Sequence, residues 1–287
     1  MSIKTIIVYI LKVQIMMILK LGGSIITEKG AKTPTINNKN LKRISKEIKN
    51  ALNHLNINDF NGLIIVHGAG SFGHPFASEY KIGNTISSEA EFEKKKIGFS
   101  LTQKWVKKLN SIVCDALIEE GISVVSIQPS SFIITRNKRI ELADLDIIKK
   151  YLENGFVPVI YGDVVSDLEE TIKMAVVSGD QIINYLAKNL RPERVILGTD
   201  VDGVYNKNPK KYSDAELISE LSSLKDLESL DSTTNIDVTG GMVGKIKELL
   251  ELAELGIKSE IINAEHENIV KNALSGEKVL GTTIRKK

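Results

Sequence analysis

The residues in this chain whose types and spacing suit chemistry are glycines and lysines gathered in three loops. They are Lys20-Leu21-Gly22-Gly23-Ser24, His67-Gly68-Ala69-Gly70-Ser71-Phe72-Gly73-His74 and Thr239-Gly240-Gly241-Met242-Val243-Gly244-Lys245. Glycine lets backbone amides approach an anion closely, and a loop that opens a helix adds unpaired N–H groups and a favourable dipole. One such loop is weak evidence of a site. In an open α/β sheet, however, loops that follow different strands meet beyond the carboxyl ends of those strands, and three convergent glycine loops suit a ligand with several phosphates.

Two common phosphate-loop families do not account for the pattern. Gly68, Gly70 and Gly73 spell G-x-G-x-x-G, but the dinucleotide fingerprint needs a helix directly after the glycines and an acidic residue at the end of a second strand about 20 residues on. Here Pro75 follows at once, and Ile82 to Ser88 is polar and turn-like. The third loop is one residue short of a Walker A motif, and Ile246 stands where that motif needs Ser or Thr for magnesium.

The elements that must position these loops read as alternating strands and helices. Apolar runs at Met17 to Leu21, Leu63 to Val66, Ser123 to Ile127, Val157 to Tyr161, Val195 to Leu197, Glu260 to Ile262 and Thr282 to Ile284 predict strands. Leu41, Ile44, Ile48 and Leu52 recur at helical intervals, and further helices are predicted over Glu89 to Glu120, Leu145 to Leu152, from Asp180, over Gly241 to Leu255 and near His266 to Leu274. Runs apolar on both faces are what a parallel sheet covered by helices on each side requires. Between Asp163 and Ser178, two alternating segments around a polar turn predict a β-hairpin. The fold class is therefore α/β with one continuous, mostly parallel sheet.

Composition narrows the partners. At 42% hydrophobic and 26% charged over 287 residues, the chain is neither disordered nor membrane-spanning. A net charge of +2 with Lys and Arg spread along the chain does not resemble a nucleic-acid binder, so no nucleic acid and no membrane are expected as partners. Residues 1–16 are read as an N-terminal extension or a mis-assigned start before Met16-Met17; they are too short to span a bilayer and lack a small-residue cleavage site. Cys114, the only cysteine, sits among Ile112, Val113, Ala116 and Leu117 as a core thiol. An internal disulfide is excluded, which fits a reducing, cytoplasmic setting.

KLGGS (20–24), HGAGSFGHP (67–75), SIQPSS (126–131), VPVIYGDVV (157–165), SGD (178–180), TDVDGVY (199–205) and DVTGGMVGK (237–245) together resemble the amino acid kinase superfamily and, within it, the isopentenyl phosphate kinase branch, from about Met17 to Ile284. The resemblance implies an open αβα sandwich, a homodimer, and a single kinase domain over 17–287. Its 17–178 half would bind the acceptor, isopentenyl phosphate, and its 179–287 half ATP, with Mg2+ carried on the ATP phosphates and no metal site of the protein's own. It implies that Lys20, Lys29, His74, Asp180 and Lys245 are catalytic. Lys20 would contact the β- and γ-phosphates, Lys29 would stabilise the transition state, Lys245 would grip the ATP phosphates, and Asp180 would orient the lysines. ATP would also meet Gly22, Gly23, Ser24, Gly70, Thr199, Asp200, Gly203, Gly240 and Gly241, and the acceptor phosphate would meet Gly68, Ala69, His74 and Gly162.

Each assignment has a plainer alternative. Loop lysines are plentiful, an aspartate at a helix start is an ordinary N-terminal residue, and Asp202-Gly203 is a common turn. Ala69 departs from relatives with a third glycine there, and suits a backbone contact only if its φ is negative. An apolar wall for a prenyl tail is expected from Ile97, Leu101, Trp105 and Phe76. The rival readings are a kinase of a phosphonate such as fosfomycin, a kinase of a carboxylate or carbamate, and a catalytically dead nucleotide sensor.

Overall fold

The computed structural model describes residues 15–28, 30–31, 33–55, 60–207, 209, 212–223 and 240–286. Strand β1 (Ile15–Leu21) is a run of aliphatic residues that cannot leave either face in water, and it lies inside a sheet between two parallel neighbours, β2 (Phe60–His67) and β9 (Arg194–Thr199). Between β2 and β9 the chain forms β3 (Val124–Ser126), β4 (Ile133–Arg136), β5 (Arg139–Ala143), β6 (Val157–Tyr161), β7 (Asp163–Ser166) and β8 (Met174–Val177). After β9 come β10 (Val204–Tyr205), β11 (Leu217–Ile218), β12 (Glu220–Leu221), β13 (Lys258–Asn263) and β14 (Gly281–Ile284).

Eight of these strands form one sheet in the order β12-β14-β13-β9-β1-β2-β6-β3, and only the β13–β14 pair is antiparallel. The chain runs outward from β1 through β2 to the edge strand β3, fills in β6 between β2 and β3, then crosses back to build β9 and β13 on the other side of β1. The order reverses at β1, and in an open α/β sheet ligands bind in the crevice at such a point.

The helices, among the described residues, are α1 (Gly23–Ile26), α2 (Asn38–His54), α3 (Gly70–Glu79), α4 (Glu89–Glu119), α5 (Asp146–Glu153), α6 (Gly179–Leu190), α7 (Gly240–Glu254) and α8 (Ile269–Leu274). Alternate residues of β1 sort them into two layers. Met17, Leu19 and Leu21 pack with Leu41, Ile44 and Ile48 of α2, Leu109 and Val113 of α4, and Val270 and Leu274 of α8. Ile18 belongs to the opposite core, with Ile148 of α5, Ile182 and Ile183 of α6, and Ile246 and Leu249 of α7. The αβα sandwich follows from the pleat, which sends successive side chains to opposite faces.

Three features depart from the sequence-based expectation. A helix does begin within the second loop, at its middle glycine Gly70, and both Gly73 and Pro75 lie inside it. Proline removes the bond its N–H would make to the Ser71 carbonyl, but α3 survives because its first turn is anchored beforehand, the N–H groups of Phe72 and Gly73 both donating to the Ala69 carbonyl. The dinucleotide reading still fails, because no strand follows within residues 82–88. The β4–β5 hairpin was not anticipated; Asn137 and Lys138 turn it with positive φ, and the Asp167 carboxylate accepts both of their backbone N–H groups. Finally, the helix expected near His266 is shorter and starts at Ile269.

That short helix is held from outside. The buried Glu47 of α2 accepts the N–H groups of Asn268, Val270 and Lys271, while Arg43 donates to Glu47 and to the carbonyl of His266. Removing the carboxylate would strand amides in a dry interior. Glu47→Ala should lower unfolding free energy by about 2–3 kcal/mol, read as a lower denaturant midpoint at unchanged slope; an unaltered midpoint would show that water replaces Glu47 without loss.

Candidate active site

Parallel strands in register end at one edge, so the loops after β1, β2, β6 and β9 meet there. The ladder continues just past the strands: Gly22 N–H donates to the Gly198 carbonyl at 2.8 Å, Gly68 N–H to Leu21 at 3.0 Å and Gly162 N–H to His67 at 3.0 Å. Above this edge lies a cleft of about 650 Å³. It is lined by Lys20, Gly22, Gly23 and Ser24 from the first loop, by Gly68, Ala69, Gly70 and His74 from the second, and by Gly162, Asp180, Thr199, Asp200, Gly203 and Lys245.

At its centre Lys20 Nζ donates to Asp180 Oδ1 at 2.6 Å, and Lys245 Nζ stands 3.6 Å from Asp180 Oδ2. The ordinary helix-start reading of Asp180 is answered by Ser178, which is the N-cap and accepts the Gln181 N–H through its side chain. The cap is filled one residue before α6, and the Asp180 carboxylate faces the lysines. Lys20 is only 5% exposed. Burial pushes its pKa below the ordinary lysine value; Asp180 opposes that shift, and the nearby Lys245 adds to it. One carboxylate thus stands between two lysines, and a phosphate chain arriving in the cleft would meet both cations.

The glycines make close approach possible. A Cβ on Gly23 would stand 2.5 Å from Gly70 N, and Gly70 has φ +48°. Ala69 has φ −75° and is accommodated without strain. His74 opens toward the cleft from α3; desolvation by the cleft walls, then the cations of Lys245 and Lys20, hold its pKa below the usual histidine value. His67 supports the same loop from beneath, its Nε2 3.0 Å from Asn110 Oδ1 and its ring stacked on Tyr161.

Asp202 accepts Asn263 Nδ2 at 2.9 Å, Tyr205 OH at 3.0 Å and His266 Nε2 at 2.7 Å, so it builds the loop that brings Thr199, Asp200 and Gly203 to the cleft. His266 had carried no signal in the sequence. Gly240 and Gly241 open α7, which carries Lys245; Lys29 and Thr239 lie outside the described residues.

The apolar wall is not where the sequence suggested. Ile97 is 58% exposed, and Trp105 stacks on Phe76 and packs into the core below α2 and α4. The cleft is instead walled by Pro75, Ala77, Thr102, Val106, Val164 and Val176. On a long helix a side chain's direction depends on the helix's rotation, which α3 decides by packing along α4. Asp163 was also missed: it is 2% exposed, desolvation raises its pKa, and it accepts the N–H groups of Ser130 and Val164 at the cleft wall. An isolated aspartate between apolar strands was the available signal.

Converging glycine loops, a lysine–aspartate–lysine cluster around the buried Lys20 and a mostly parallel αβα sandwich define a phosphoryl-transfer protein, and the chain belongs to the amino acid kinase family, whose model matches residues 16–263. It is similar to the isopentenyl phosphate kinase of Methanothermobacter thermautotrophicus, 58% identical over 94% of this chain and 98% of the relative. The isopentenyl phosphate kinase of Methanocaldococcus jannaschii is 40% identical over 93% and 97%. A crystal structure of an isopentenyl phosphate kinase superposes with a TM-score of 0.84 at 54% identity, covering 94% of this chain and 99% of that one.

Asp180→Asn keeps the shape of the cluster and removes the charge between the two lysines. Turnover should fall by about 10²–10³-fold in a steady-state ADP-release assay, with the melting temperature little changed. Turnover within twofold of the parent would show that the carboxylate's charge is not needed.

Proposed function

We propose that this chain transfers the γ-phosphoryl group of magnesium-bound ATP to isopentenyl phosphate, giving isopentenyl diphosphate and ADP. The observation that carries the reading is the pairing, in one cleft, of the Lys20–Asp180–Lys245 cluster with His74 above the Gly68–Ala69 and Gly162 backbone and an apolar wall beside it. The magnesium belongs to the nucleotide and neutralises its phosphates. Both oxygens of Asp180 face lysines, which suits a carboxylate that orients cations better than one that binds a metal.

The chemistry asks little else of the protein. A monoalkyl phosphate has a second pKa of about 6, so the acceptor presents an anionic oxygen near neutral pH and needs no general base. His74 donates a hydrogen bond to that phosphate and fixes it in line with the γ-phosphorus. Lys20 and Lys245 take up charge as it moves toward the leaving β-phosphate, and Lys29 acts at the transferring group. The prenyl tail lies along Ala77, Val106, Val164 and Val176. The division into an acceptor half (17–178) and an ATP half (179–287), the homodimer and a cytoplasmic location belong to the same proposal. Among the described residues no helix is long and apolar enough to cross a membrane.

An ADP-release assay with isopentenyl phosphate, dimethylallyl phosphate, fosfomycin and N-acetylglutamate at equal concentration tests the acceptor. Preference for the prenyl phosphates is expected; preference for fosfomycin would move the function, and silence on all four would favour a sensor. His74→Ala should raise KM for isopentenyl phosphate by about 10-fold or more, the loss of one hydrogen bond to a charged group, with KM for ATP nearly unchanged. An equal rise in both would remove His74 from the acceptor site. Lys29→Ala should lower kcat far more than either affinity, and an unchanged kcat would take Lys29 out of the mechanism.

A further inference from the structure

The first and second glycine loops leave neighbouring paired strands and share the Gly68 N–H to Leu21 carbonyl bond at their base; farther along, one hydroxyl joins them again. Thr27, 1% exposed just after α1, donates its Oγ1 proton to the Gly23 carbonyl at 2.7 Å, and the same oxygen accepts the Ser71 N–H at 3.2 Å. The Gly23 carbonyl also receives the Thr27 backbone N–H at 2.9 Å, so Thr27 is tied to the first loop twice. Its link to the second loop is the hydroxyl alone among the hydrogen bonds described. The backbones are already at closest approach: a Cβ on Gly68 would stand 2.6 Å from Gly23 N, and one on Gly70 would stand 2.2 Å from Thr27 Oγ1.

Ser71 extends the link. Its hydroxyl accepts the Thr35 N–H at 3.2 Å, and the Glu28 N–H donates to the Thr35 carbonyl at 3.0 Å. The base of the segment between Thr27 and Thr35, in which Lys29 lies, is thereby held to the start of α3. A hydroxyl hydrogen-bonded to its own i−4 carbonyl is common and by itself says nothing of function. What distinguishes Thr27 is the second bond, made across 44 residues to an N–H of the other phosphate loop, where α3 begins.

We propose that Thr27 is a positioning residue whose hydroxyl sets the separation of the two phosphate loops, and with it the distance from the γ-phosphorus to the attacking oxygen of the acceptor. The proposal rests on reading the cleft as a phosphoryl-transfer site. Each loop binds its own phosphate with its own backbone, so loss of the hydroxyl alters binding little. Transfer depends on the gap between them, and a misplacement of about 1 Å can cost about 10²-fold in rate.

The test compares Thr27→Val, which keeps the shape and deletes the hydroxyl, with Thr27→Ser, which keeps the hydroxyl. Both are assayed for ADP release with isopentenyl phosphate, and a melting temperature is taken for each. Thr27→Val should lower kcat by about 10- to 100-fold while KM for each substrate stays within about threefold, and Thr27→Ser should recover most of the loss. If valine prevents folding, Thr27→Ala makes the same deletion without the branched side chain. A parental kcat in the hydroxyl-less variant, a loss confined to KM, or a serine variant as slow as the valine one would each overturn the proposal. A parent chain that releases no ADP with any phosphorylated acceptor would instead overturn the functional reading beneath it.

Discussion

A lysine at the end of a central strand, with parallel neighbours on both sides and helices above and below, cannot keep its ammonium in water. Lys20 is in that position, and much of the active cleft is arranged around the need to balance it. Asp180 supplies the counter-charge at 2.6 Å. For it to do so, α6 must start beside the end of β1, its cap must be taken by Ser178, and Gly179 must leave room, since a Cβ there would stand 3.1 Å from Lys20 Cε. Lys245 then meets the other carboxylate oxygen from α7. An isolated buried ion pair is weak evidence for stability, because desolvation offsets the attraction. Here the carboxylate faces two cations in the wall of a cleft, a placement that suits binding an anion as well as holding the fold together.

The proposed acceptor side follows a different rule. Its residues are backbone amides and one histidine, and burial with nearby cations disfavours the charged form of that histidine. In the proposed reaction the two lysines would meet the γ-phosphate, while the acceptor's phosphate would be oriented mainly by hydrogen bonds. For a nucleophile that is already anionic, such a division would suffice: one end of the cleft would stabilise charge, and the other would set direction.

The first two glycine loops pack closely. Gly23, Gly68 and Gly70 stand so near each other that no side chain fits between them. Moving the loops apart would break the hydrogen bonds of Thr27 and Ser71 and the bond from Gly68 N–H to the Leu21 carbonyl. Similar economy holds in the loop after β9, where Asp202 gathers Asn263, Tyr205 and His266 from separate elements to shape one bend.

The strands and the glycine loops were legible in the sequence because both are local. An apolar run buried on two faces needs no partner to be recognised, and glycine at a strand end has few other uses. The helix starting at Gly70 was misjudged because Pro75 breaks helices by itself, whereas here the turn before it is already closed on Ala69. The β4–β5 hairpin was hidden because its turn depends on Asp167, thirty residues away. The apolar wall was assigned to the wrong face of α4 for the same kind of reason: which residues of an amphipathic helix face a cleft is decided by what packs on the other side. Residue type and order thus determined the fold class, the first two glycine loops, and Lys20 and Lys245 as cations of the cleft. Only the tertiary structure decided that Asp180 sits between Lys20 and Lys245 and that Thr27 reaches Ser71, because those contacts join segments whose separation along the chain carries no trace of their distance in space.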